Sequence, residues 1–145
     1  MRTILVHIHS FMAYVFLATA IISTISSGTG LVQRGHFGST LASLAKMACV
    51  SSHIQLALGL GLWFTSDILT QLQTNASAIL ANKDLRFVAI EHPIANFLAV
   101  IILSIGYFSI NKSTEHSSKL KKNFFFYLLA VIISMSRLPY EQWLH

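Results

Sequence analysis

Four histidines, His7, His9, His53 and His92, fall inside long apolar stretches of this chain. Ionisable side chains in such surroundings cost several kcal/mol in lipid, so they turn to a bundle interior and mark function. Neutral imidazole is a good iron ligand, and a b-type haem is held by axial side chains without thioether bonds. Cys49 is the only cysteine, which excludes an internal disulfide and a CxxC attachment or metal site. Histidine pairs on facing helices are therefore the chemistry to test first.

The elements that must position them are four apolar stretches: Thr3 to Ser26, Leu44 to Ser66, Phe87 to Ile110 and Asn123 to Leu138. A helix crosses the hydrocarbon core with about 20 apolar residues, a length the first three meet. The fourth is short, but Pro139, Tyr140 and Trp143 suit an interfacial end. The expected fold is an all-α integral membrane protein, a single domain over 1–145 built as a four-transmembrane-helix bundle. The first stretch reads as a retained span, because its apolar run exceeds a signal peptide's and carries His7, His9 and Tyr14. Of the linkers, residues 77–86 fit either a short amphipathic surface helix or a plain loop.

Composition agrees. Hydrophobic residues make up 54% and charged residues 10%, against about 25% charged in soluble domains. The +5 net charge does not interleave with an exposed aromatic platform, which argues against a nucleic-acid partner. The basic residues instead read as topology signals and contacts to membrane lipid. Arg34, Lys46, Lys112, Lys119, Lys121 and Lys122 lie on the side of the first and third linkers; Arg2, Lys83, Arg86 and Arg137 lie on the other. The positive-inside rule then places both termini on the outer, periplasmic side.

With that orientation the histidines can be ranked by depth. At about 1.5 Å per residue, His7 and His9 lie roughly 6–9 Å below the outer boundary, His92 about 9 Å and His53 roughly 15 Å. His92 with His9 or His53 is the preferred axial set, the pair being undecided, with His7 a further candidate. Arg86 and Arg137 lie near the same boundary, where arginine pairs with carboxylates such as haem propionates. Ala48, Ser52, Gln55 and Gly59 form a small and polar stripe on one helix, and His92, Asn96 and Ala99 share a face on another, as close packing or a flat macrocycle would require. Plainer readings exist: His7 snorkelling at the interface, Glu91-His92-Pro93 as a hydrated helix start, Arg137 as an interface anchor. His36, His116 and His145 read as solvated.

At these residues the chain resembles small four-helix bacterial membrane proteins labelled cytochrome b-like. The elements are His7-Ile8-His9-Ser10, Ser52-His53-Ile54-Gln55-Leu56 with Gly59, Glu91-His92-Pro93, and Ser136-Arg137-Leu138-Pro139-Tyr140. The resemblance runs the length of the chain and implies a haem b carried by His9, His53 and His92.

The expected function is haem b-based electron transfer in a bacterial inner membrane, as a carrier or a subunit of a respiratory complex rather than a stand-alone enzyme. Other membrane subunits or a homo-oligomer are the expected partners, with quinone a further candidate. Two alternatives stand beside it: a non-catalytic accessory subunit stabilising a larger complex, and a proton or metal-ion path through Glu91, His92, His53 and His9.

Overall fold

The computed structural model describes residues 2–140; Trp143 and His145 lie outside the described residues. Four long helices carry the structure: α1 (Arg2–Val32), α2 (Ser39–Phe64), α6 (His92–Asn111) and α7 (His116–Ser136). Between α2 and α6 run three short helices, α3 (Asp67–Thr74), α4 (Ala76–Ala81) and α5 (Lys83–Arg86), followed by a π-helical turn, Phe87–Glu91. The long helices alternate in direction. Sequence neighbours pack side by side, α7 closes the ring against α1, and α1 and α6 oppose each other across the diagonal. The seam between α2 and α6 is the loosest of the four.

Many large apolar side chains face outward, while the core mixes Phe16, Leu103, Leu120 and Tyr127 with many small or polar residues. Ala20, Ala45, Ala48, Ala99 and Ala130 are buried with Ser23, Ser27, Ser52 and Asn123, while Phe11, Ile22, Phe64, Phe97, Phe108, Phe125 and Ile132 are exposed. Water would drive the reverse arrangement; in lipid, small faces let backbones approach and polar groups join helices. Hydroxyls are accordingly closed within their own helices, with Thr24 donating to the Ala20 carbonyl and Ser27 to that of Ser23 (both 2.8 Å). Between helices, Asn123 donates from α7 to the Ser23 hydroxyl (2.9 Å) and to Ser27 of α1, and the Tyr127 hydroxyl donates to the Ala45 carbonyl of α2 (2.7 Å).

Three stretches are long and apolar enough to cross a membrane: α1, α2 and the continuous run Lys83–Asn111. The opening turns of α7 carry Lys119, Lys121 and Lys122, so its apolar part, 123–136, spans only roughly 20 Å.

Helix limits differ from the sequence expectation where context decides. α1 continues six residues beyond Ser26, because Gly28 and Gly30 lie against Phe124 and Leu120 of α7 and tolerate the helix there. It stops in a Schellman motif: Gly35 N–H bonds the Gly30 carbonyl (2.8 Å), Arg34 N–H bonds that of Leu31 (3.5 Å), and Arg34 takes the left-handed conformation (φ 53°). The linker at 77–86 is helical. Asn75 and Asn82 start its segments, their side-chain oxygens accepting from Ala78 N–H (3.3 Å) and from Asp84 and Leu85 N–H (3.0 and 3.1 Å). α7 begins seven residues before the expected Asn123; Lys122 from this added turn donates to the Ser109 carbonyl (3.2 Å) and the Ser113 hydroxyl (2.7 Å), satisfying the end of α6.

Candidate functional site

The site lies at the bundle end where α1 starts, α2 ends, α6 starts and α7 ends, and it is built around a proline. Pro93 has no N–H, so the carbonyl four residues earlier, that of Ala89, loses its helical partner, and the ring crowds it. The backbone responds by widening: His92 N–H bonds the Phe87 carbonyl, five residues back, forming the π turn. Trp63 from α2 supplies the missing donor, its indole N–H meeting the Ala89 carbonyl at 2.9 Å. The irregular start of α6 is thereby fixed by a side chain from the neighbouring helix.

His92 follows directly. Its Nδ1 lies 2.6 Å from the Arg137 carbonyl, which can only accept, so Nδ1 carries the proton and Nε2 keeps its lone pair. This is the arrangement that orients a ligating histidine, whose other ring nitrogen donates to a backbone carbonyl. Asn96 is held alongside, donating to the His92 carbonyl at 2.9 Å.

Opposite, on α1, His9 leans on α2. Its Nε2 is 3.1 Å from the Gln55 amide nitrogen, and its Cε1 would lie 3.1 Å from a Cβ added at Gly59. A larger residue here would press on the His9 ring. In either orientation of the Gln55 amide, His9 Nδ1 is buried without a partner; Gln55 Oε1 and Ser134 Oγ are buried and unpartnered too. Buried polar atoms normally find partners, and these three lie on α1, α2 and α7 around one cavity.

That cavity has a volume of about 280 Å³ and is lined by His9, Ser52, Gln55, His92, Asn96 and Ser134 among apolar side chains. The His9 and His92 ring centres are 6.4 Å apart, with the rings at 74°. Two imidazoles sharing a metal need about 6 Å, given a metal–nitrogen bond of about 2 Å at each ring. The centre-to-centre distance meets that requirement, with His92 Nε2 and His9 Nδ1 as the unbonded ring nitrogens. At about 280 Å³ the cavity falls just short of the roughly 300 Å³ of small-molecule sites, so a tetrapyrrole would seat only with lining side chains moved outward.

Arg86 and Arg137 converge beside the start of α6, on a carboxylate of the chain itself, and neither lines the cavity. Arg86 Nε is 2.9 Å from Glu91 Oε1 and Arg137 Nε is 3.3 Å from Oε2, while Arg86 also donates to the Leu80 carbonyl (2.8 Å). Glu91 thus holds together the two residues that the sequence offered to propionates, and ties the α7 terminus, whose carbonyl orients His92, to the start of α6.

His53 is not brought to this pair. It is exposed on the α2–α6 seam, its Nδ1 donating to the Cys49 carbonyl (2.7 Å) and its Nε2 lying 3.3 Å from the Ser104 hydroxyl. His7 is exposed on the outer side of α1. His36 and His116 are exposed at the other end, their rings edge to face at 4.9 Å, with His116 Nδ1 accepting from Phe37 N–H (3.2 Å). Among the described residues, no three His, Cys, Asp or Glu side chains group as for a metal ion. The sequence reading missed Trp63 and Ser134. Trp63 had a signal in Pro93, whose presence in a helix requires a donor for the carbonyl at 89; Ser134 had none.

No family model, curated protein or solved structure matches the chain.

Proposed function

We propose that the protein is a four-span membrane bundle, with both termini on the periplasmic side of a bacterial inner membrane, that holds a b-type haem between α1 and α6. The observation that carries this reading is the His9–His92 pair, 6.4 Å apart on diagonal helices, with His92 Nε2 left open by its bond to the Arg137 carbonyl. Outward-facing large apolar residues support the membrane setting. α7 serves as the fourth span, with the lysines of its first turns reaching back to the headgroups.

Such a group would supply one-electron transfer, and the residues around it do the rest. The Arg137 carbonyl fixes the His92 ring and tautomer. Gln55 would hold His9 through Nε2, leaving Nδ1, unbonded in the structure, as the nitrogen for ligation. Glu91 holds Arg86 and Arg137, which would serve propionates only by exchanging this carboxylate. The function proposed is electron transfer as a small carrier or a subunit of a respiratory complex. His53 favours the second form, since a histidine on the outer face of a span calls for a neighbouring helix to cover it.

The test is the haem content of histidine variants of the purified protein. His92→Ala and His9→Ala are expected to lose at least nine-tenths of the haem, whereas His53→Ala and His116→Ala keep it. Equal haem in all four variants would dismiss the assigned pair.

A further inference from the structure

At the end of the bundle opposite the histidine pair, the α2–α6 seam opens into a groove of about 190 Å³. Its walls are Phe37, Tyr107 and Ile110, and its polar groups are Lys46, Ser43 and Asn111. Lys46 stands about two turns into α2, below the helix start at Ser39. It is an exposed cation on a helix long and apolar enough to span. Lys122 at the same end is taken up by Ser109 and Ser113. Among the described residues no carboxylate is bonded to Lys46, and the ion pairs belong to Arg86 and Arg137 at the far end. Arg34, Lys112, Lys119 and Lys121 surround this end, with Glu115 the one acid there among the described residues.

We infer that this groove binds one anionic phospholipid, its phosphodiester on Lys46 and Asn111 and its glycerol and upper acyl chains against Phe37, Tyr107 and Ile110. Three features select that occupant. The groove sets apolar Phe37, Tyr107 and Ile110 beside polar Ser43, Lys46 and Asn111. A lysine at this depth snorkels to the phosphate level. The surrounding basic excess raises the local concentration of anionic lipid. The inference rests on the membrane reading but is independent of the haem.

The test is native mass spectrometry of detergent-purified protein offered equimolar phosphatidylglycerol and phosphatidylcholine. Wild type is expected to retain a single phosphatidylglycerol at least fivefold over phosphatidylcholine. Lys46→Gln should bring the ratio close to one, while Lys121→Gln, outside the groove, leaves it unchanged. Equal retention by wild type, or an equal loss in both variants, would replace a built site with a diffuse surface field and overturn the proposal. Displacement by millimolar inorganic phosphate would equally overturn it, by making the site one for free phosphate. Protein that stays monodisperse without detergent and retains neither lipid would remove the membrane reading itself. Haem-free protein that still prefers phosphatidylglycerol would leave this inference standing and the haem assignment fallen.

Discussion

The indole N–H of Trp63 meets the carbonyl oxygen of Ala89 at 2.9 Å, and that oxygen is the one Pro93 leaves without a partner in its own helix. A residue near the end of α2 thus holds the irregular turn that sets His92. Trp63→Phe keeps most of the ring and removes the donor, leaving a carbonyl unpaired in apolar surroundings. A loss of about 1–3 kcal/mol follows from the stranded acceptor. Thermal unfolding in detergent should show it as a lowered Tm. An unchanged Tm would mean that the π turn holds itself.

A second prediction sets Gly106, at the α6–α7 interface, against Gly61 of α2. A Cβ at Gly106 would lie 2.5 Å from Phe126 Cβ and 2.9 Å from its Cγ, atoms that no rotamer change moves far. A Cβ at Gly61 meets nothing within 4 Å. Gly106→Ala is expected to destabilise the protein by about 1–3 kcal/mol, the usual scale of overpacking. Gly61→Ala should be neutral or stabilising, by up to about 1 kcal/mol of helix propensity. Comparing the two in one unfolding assay separates packing from propensity, and equal effects would contradict the close approach at Gly106.

Arg34 occupies the left-handed position of a Schellman motif, where glycine is usual. The Cβ–carbonyl crowding of that conformation costs an L-residue roughly 1–2 kcal/mol. Arg34→Gly should therefore raise stability by about 1 kcal/mol, less than the crowding it removes because glycine is freer in the unfolded chain. A clear loss on chemical denaturation would show that the arginine side chain contributes something the backbone geometry does not reveal.

The helical segments were legible in the sequence because each is a long apolar run. Their limits were not, since glycine at 28 and 30 reads as a linker until Phe124 and Leu120 are seen to pack there. The stripe Ala48, Ser52, Gln55, Gly59 was legible as a face, and it does point inward, with Ser52 and Gln55 buried and Gly59 against His9. Depth counting brought His92 together with His9, because rise along a helix follows from residue number alone. It could not set His53 apart, because depth says nothing about azimuth. His53 and Gln55 are two residues apart, about 200° around a helix, so a site that buries Gln55 turns His53 outward. Glu91 was read as a neighbour of His92; its grip on both arginines depends on where α7 ends, which no local pattern encodes.

The central claim is that His9 and His92 hold a b-type haem, and one measurement tests it most directly. A dithionite-reduced minus oxidised spectrum of the purified, haem-supplied protein should show a b-type signal, with close to one haem per chain by pyridine haemochrome. The same preparation of His92→Ala should lack it. A flat spectrum from well-folded wild-type protein would contradict the account and leave the cavity to a different ligand.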